Sequence, residues 1–203
     1  NDRGTFYSSV FKSYLGLMFM AGSALVALSK VFTVLLMDAS YYDAWQYMPT
    51  LIIATVYLAL ATFLGSVYLV KKKSVLSLLT SMAGAVANIG VTFIMIPYLL
   101  DIADPIKAAQ GAAFGAIAGY VSVFVIRSIN AQRYVKFNVQ PIKLIVNTVL
   151  LCLQALIMVF EINGWLYYQA ALFVLIVLLN IKPIIVGIMP IIKKVVSRFV
   201  RSA

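Results

Sequence analysis

The chain has no histidine, one cysteine, and only 6 acidic residues against 16 Lys and Arg in 203 positions. Without histidine the usual general base and the commonest metal ligand are missing, and neither a Ser–His pair nor an HExxH site is possible. The lone Cys152 excludes an internal disulfide; in mid-segment it reads as a small buried apolar residue. No carboxylate falls deep inside an apolar run, so a relay of buried acids for protons or sodium is not visible. A carboxylate pair on one helix face and a glycine-rich phosphate loop after a strand are also lacking. These gaps argue against an enzyme. No catalytic, cofactor-binding or metal-binding residue is assigned, and nothing in the spacing asks for a Lys or Asp acting on lipid phosphate.

What the chain has in quantity is apolar sequence. Apolar residues make up 64% and charged residues 11%, with several runs near the ~20 residues that cross a bilayer. The class expected is all-α, a polytopic transmembrane helix bundle of about six spans. A polar and aromatic lead-in, Asn1 to Ser13, precedes a first span from Tyr14 to Met37. After an acidic, aromatic loop, the second span runs from Met48 to Val70, with Pro49 in its first turn and Lys71, Lys72 and Lys73 closing it. The third span is Val75 to Leu99 and the fourth Ala108 to Ile126, joined by a loop around Asp101, Asp104 and Pro105. Pro141 opens the fifth, Ile142 to Phe160; Asn163-Gly164 then turns the chain into a short sixth, Leu166 to Ile181. The tail, with Lys193, Lys194, Arg198 and Arg201 among apolar residues, reads as an amphipathic helix on the membrane surface; its rival is a longer, Pro-kinked sixth span. The opening Asn-Asp-Arg, with no cleavable signal pattern, is expected to belong to a longer protein.

Charge orients this arrangement. Six spans bring both ends to one side, which collects Lys12, the triple lysine, Arg127, Arg133, Lys136, Lys143 and the basic tail. The opposite loops hold Asp38, Asp43, Asp101, Asp104 and Glu161 against Lys107. By the positive-inside rule both termini of the segment are cytoplasmic, in a multi-pass inner-membrane protein. Trp45 and Trp165, with Tyr41, Tyr42, Tyr47, Tyr98, Tyr167 and Tyr168, form half of an aromatic belt at the outer boundary. The net charge of +10 is then topology plus attraction to anionic lipid. Nucleic acid is not an expected partner, because the basic residues are spread over short loops.

Within the spans, Lys30 is the ionisable residue that stands out. It continues a heptad row, Gly16, Ser23 and Lys30, so one helix face presents small and polar groups. Two readings stay open: snorkelling to the outer interface, or a fixed positive charge lining an aqueous cavity, suited to phosphate or an acidic sugar. The third span carries a stripe of Ser77, Ser81, Gly84, Asn88 and Thr92 at steps of three and four. Asn88 is a cavity candidate whose plainer reading is an interhelical hydrogen bond. Gly111, Gly115 and Gly119 repeat every four residues, a ridge without side chains on which another helix can pack. Asn147 and Gln154 share one face of the fifth span and either tie it to its neighbours or polarise a groove. The substrate-cavity set is thus Lys30, Ser23, Asn88, Ser81 and Gln154.

The order of features resembles the carboxy-terminal half of the polysaccharide flippases, the O-antigen and capsule repeat-unit translocases of the multidrug/oligosaccharidyl-lipid/polysaccharide exporter superfamily. The residues that carry the likeness are Tyr41-Tyr42-Asp43-Ala44-Trp45 leading into Met48-Pro49, Lys71 to Lys73, Gly84-Ala-Val-Ala-Asn88, Ile96-Pro97, and Gly111-Ala-Ala ahead of a span ending in Arg127. The resemblance covers roughly Lys12 to Gln154. It implies a two-lobed protein around a cationic cavity that opens alternately to each side, with an undecaprenyl-diphosphate-linked oligosaccharide as cargo and no cofactor. On that likeness residues 1–140 form part of the second lobe, four spans, and residues 141–203 an additional helix pair with the basic tail. The partners implied are the polyprenyl-diphosphate-linked oligosaccharide, the bilayer, and an N-terminal lobe outside this segment. The loop Leu100 to Gln110 is longer than the common pattern. A multidrug antiporter of the same superfamily and a non-transporting membrane scaffold are the competing functions.

Overall fold

The computed structural model describes the backbone of residues 2–102 and 105–202, and the side chains of 4–99 and 109–185. Among the described residues every regular element is helical: α1 (Asp2–Ala27), α2 (Ser29–Leu36), a 3-10 segment (Ala39–Gln46), α3 (Met48–Val70), α4 (Ser74–Ile102), α5 (Pro105–Ala131), α6 (Pro141–Val159) and α7 (Trp165–Ser202). Six stretches are long and apolar enough to cross a bilayer: Gly4–Ala27, Met48–Val70, Ser74–Leu99, Ala109–Ala131, Pro141–Val159 and Trp165–Ile185. The chain is an all-α, multi-pass membrane protein.

Helix boundaries follow local chemistry. Pro49 and Pro141 sit in the first turns of α3 and α6, where a missing N–H costs no hydrogen bond. The α6–α7 turn closes through Gly164 at φ +78°, a left-handed conformation that glycine adopts without a Cβ clash.

Three boundaries differ from those expected. The first helix starts at Asp2, well before Tyr14, and is interrupted at Leu28 (φ −96°, ψ 1°). The lead-in is helical because its polar groups are satisfied within the protein: Ser8 Oγ donates to Gly4 O at 2.7 Å and Ser13 Oγ to Pro183 O at 2.8 Å. Lys30 therefore lies beyond the first span, in α2. The expected loop Leu100 to Gln110 is largely helical, since α4 continues to Ile102 and α5 resumes at Pro105. The tail is helical and continuous with the sixth span: α7 runs unbroken past Pro183 to Ser202, while its membrane-length apolar stretch among the described residues ends at Ile185. The side chains of Asp101, Asp104, Lys107, Lys193, Lys194, Arg198 and Arg201 lie outside the described set.

The packing order is α4, α5, α3, then α1 and α6 together against α3, with α7 against α1 and α6. Helix α3 is the centre. Its Leu60, Ala61 and Leu64 are fully buried beside Phe11, Leu15 and Phe19 of α1, Phe124 of α5 and Leu151 of α6. By contrast α4 touches mainly α5. Its Val86, Ile89 and Phe93 stay outside, as a lipid-facing surface would.

One end of the bundle, the basic end, holds the α3–α4 turn with Lys71 to Lys73 and the α5–α6 loop with Arg133 and Lys136. The aromatic end holds the 3-10 segment and the α6–α7 turn, with Trp45 and Trp165 close enough to flank one ammonium group.

Candidate functional site

The stripe on α4 and the ridge on α5 interlock. A Cβ on Gly119 would lie 2.9 Å from both Asn88 Cβ and the Gly84 carbonyl oxygen; one on Gly111 would lie 3.0 Å from the backbone nitrogen of Ile96. A Cβ on Gly115 would collide with Thr92 Oγ1, and one on Gly84 with Val123. Asn88 Oδ1 accepts from Thr92 Oγ1 at 3.1 Å, so the amide is bonded along its own helix and wedged against α5. This upper part of the stripe is a packing seam, and Gly111, Gly115 and Gly119 have the packing role expected of them.

The heptad row of the first helix registers against the α6–α7 hairpin. Gly16 lies under Asn180, where a Cβ would come within 3.2 Å. Ser23 Oγ donates to Gln154 Oε1 at 2.7 Å, Gln154 Nε2 donates to Ser23 O at 3.2 Å, and Gln169 Nε2 donates to Gln154 O at 2.8 Å. Asn180 Nδ2 donates to Asn147 Oδ1 at 2.6 Å, joining α7 to α6. Ser23, Gln154, Asn147 and Asn180 are all fully buried. Ser23 bonds Gln154 and Asn147 bonds Asn180, so the four are paired with one another inside the protein.

Lys30 completes that row at the aromatic end. Its ammonium pairs with Glu161 and stands 4.0 Å from the Trp45 ring centroid and 4.9 Å from that of Trp165. The side chain is 23% exposed and Glu161 57%. The structure puts Lys30 in an aromatic clasp, neutralised by a carboxylate and sandwiched by ring faces. Beside the clasp, Asp38 caps the 3-10 segment by accepting from Ser40 N at 3.1 Å and Ser40 Oγ at 2.9 Å, which holds its carboxyl below the ordinary carboxylate range.

The lower part of the stripe does something else. Arg127, expected to end its span among loop cations, is 7% exposed and enclosed by α3, α4 and α5. Its Nε donates to Thr80 Oγ1 at 3.0 Å, Nη1 to Ala61 O at 2.9 Å, and Nη2 to Ser81 Oγ at 2.9 Å and Ser77 O at 3.3 Å. Gly65 makes room for it: a Cβ there would stand 2.7 Å from Nη1. Every partner is neutral. The guanidinium has its hydrogen bonds but keeps its charge, in a bundle where the ion pair among the described residues is Lys30–Glu161.

The cavity set Lys30, Ser23, Asn88, Ser81 and Gln154 is therefore distributed over three places. Ser23 and Gln154 meet, Ser81 joins Arg127, Asn88 faces the glycine ridge, and Lys30 sits in the clasp. Arg127 is the residue that sequence reasoning missed. The available signal was Ser77, Thr80 and Ser81 within the first turns of α4, three hydroxyls clustered where a lipid-facing helix has no use for them. Among the described residues no group of His, Cys, Asp and Glu is placed to hold a metal. The site holds a buried cation whose donors go to hydroxyl and carbonyl oxygens of α3 and α4. Comparisons with protein-family models, with curated proteins and with solved structures find no match to this chain.

Proposed function

We propose that the chain is part of a membrane translocase that moves an anionic, lipid-linked oligosaccharide, of the undecaprenyl-diphosphate type, across the cytoplasmic membrane by alternating access. The loop lysines and arginines support a cytoplasmic position for its basic end. A further lobe of helices completes the cavity. The observation that carries this reading is Arg127, a guanidinium inside a six-span apolar bundle with only neutral acceptors around it. An ionisable group among spans costs about 2.5–3.5 kcal/mol to place there on insertion scales, and such groups mark substrate paths. A positive charge left uncompensated favours a diphosphate over a neutral or cationic cargo.

Helices α4 and α5 are locked by the glycine ridge, so in this mechanism they move as one body against the proposed further lobe. The antiporter alternative calls for a carboxylate inside a span. Among the described acidic residues, Asp38, Asp43 and Glu161 are all exposed and outside the spans, which favours the anionic-lipid reading.

The test is reconstitution of the full-length protein in proteoliposomes with a labelled polyprenyl-diphosphate oligosaccharide and an uncharged glycolipid bearing the same sugars. The diphosphate lipid should flip faster than in protein-free vesicles, and faster than its uncharged counterpart. Rates equal to protein-free vesicles for both lipids would point to a scaffold, and efflux of apolar cations instead would point to the antiporter.

A further inference from the structure

At the basic end, away from Arg127, α1, α6 and α7 enclose a pocket of about 590 Å³. Its polar lining takes one lysine from each helix, Lys12, Lys143 and Lys182, together with the amides of Asn138, Gln140 and Asn147. An adjoining recess of about 340 Å³ shares Lys12 and Lys182 and adds the hydroxyl-bearing Ser8 and Ser9. Lys143 Nζ is buried and has no hydrogen-bond acceptor among the described residues. A lysine ammonium carries three donors and no acceptor, so a buried one without a partner is a strong demand for oxygen ligands. Among the described residues no carboxylate lines the pocket. The acidic residues with described side chains, Asp38, Asp43 and Glu161, belong to the opposite end of the bundle.

We propose that Lys12, Lys143 and Lys182 form a binding site for a phosphate-type oxyanion, filled from the adjacent membrane leaflet by the headgroup of an anionic phospholipid. Three lysines on one pocket match the several acceptor oxygens of a phosphate, and Lys143 brings a buried ammonium that has no partner among the described residues. The pocket opens beside Ile142, Val146 and Leu179, which are exposed on the outer surface of α6 and α7, so a headgroup can enter from the bilayer while its chains stay outside. The site holds a resident lipid against the α1–α6–α7 junction and does not depend on whether the protein transports anything.

The experiment is native mass spectrometry of the delipidated full-length protein, titrated separately with phosphatidylglycerol, phosphatidylcholine and inorganic phosphate. Wild type should retain one phosphatidylglycerol more tightly than phosphatidylcholine. Lys143→Gln, and the double variant Lys12→Gln/Lys182→Gln on the less buried pair, should each weaken that binding roughly tenfold or more. Lys143→Arg should keep most of it, and Lys71→Gln/Lys72→Gln/Lys73→Gln, outside the pocket, should leave it unchanged. Inorganic phosphate binding that equals the lipid's and is lost in the same variants would support the oxyanion site with a soluble source. Retention of phosphatidylglycerol that is unaffected by the pocket variants, or equal for the two lipids, would overturn the proposal. The double variant keeps the test open should Lys143→Gln fail to fold.

Discussion

Ser23 and Gln154 exchange two hydrogen bonds across the α1–α6 boundary, hydroxyl to amide oxygen at 2.7 Å and amide nitrogen to backbone carbonyl at 3.2 Å. Neither side chain has any exposed surface. The pair is the middle rung of a ladder that begins with Gly16 under Asn180 and ends with Lys30 on Glu161. From Gly16 to Ser23 the first helix is thereby keyed to the α6–α7 hairpin, and α2 extends the row with Lys30. In an apolar solvent such keys carry specificity, because van der Waals packing alone does not distinguish one greasy helix face from another.

A double-mutant cycle on Ser23→Ala and Gln154→Leu should return a coupling of about 0.6–1.7 kcal/mol. Equilibrium unfolding of the protein in mixed micelles measures it. A coupling near zero would mean that each side chain finds an equivalent partner once the other is gone.

The contact of α4 with α5 should be intolerant of added atoms. Gly119→Leu or Gly115→Val drives a side chain into Asn88, Thr92 or the Gly84 carbonyl, and overpacking of this kind costs about 1–3 kcal/mol. Thermal unfolding in detergent should fall accordingly. Gly90, which has nothing within 4 Å of an added Cβ, is the control. Gly90→Ala should be neutral or stabilising by about 0.5–1 kcal/mol through helix propensity.

The clasp gives Lys30 a structural role with a distinctive signature. Lys30→Glu places two carboxylates together and removes the cation from the Trp45 and Trp165 faces, costing about 1–2 kcal/mol when the exposed ion pair and the ring contacts are counted together. Glu161→Lys in the same chain should restore stability and activity. A Lys30→Glu defect that the second change leaves untouched would assign Lys30 to cargo binding after all.

Asp38 supplies a pH dependence at the aromatic end. Its bonds from Ser40 favour the carboxylate, so the folded-state pKa lies below the unfolded one. The capping contribution is complete above the unfolded value and disappears as pH falls through the folded value. Carbonyl NMR of labelled aspartate should show Asp38 titrating lower than an ordinary aspartate, and Ser40→Ala should move it back up. An Asp38 titration unchanged by Ser40→Ala would remove the cap.

Hydropathy was enough to count the spans and to place α3, α4, α5 and α6 within a few residues, because their mean hydropathy is high along the whole span despite the polar faces on α4 and α6. It misplaced the first span, since Ser8, Lys12 and Ser13 look like an aqueous lead-in until Pro183 and the α1–α6–α7 pocket are there to receive them. Periodicity picked out the heptad row, the α4 stripe and the glycine ridge as faces, but a face does not name its neighbour. Only the fold shows that the stripe divides, Gly84, Asn88 and Thr92 going to the ridge, and Ser77 and Ser81 to Arg127. Arg127 itself was hidden by its position. Four residues before the end of α5 among other cations, it has the sequence context of a topogenic charge. Its burial depends on Gly65 and Ala61 of α3, more than 60 residues away.

The central claim is that the uncompensated charge of Arg127 acts on the cargo. The direct measurement is diphosphate-lipid flipping per folded molecule in proteoliposomes for Arg127→Gln and Arg127→Lys, with Ser81→Ala as a partner-loss control. The account predicts at least a roughly tenfold loss for Arg127→Gln, partial retention for Arg127→Lys, and little change for Ser81→Ala, which leaves the charge in place. Full flipping per folded molecule by Arg127→Gln, with only the yield of folded protein reduced, would contradict it and leave Arg127 as a tie between α3, α4 and α5.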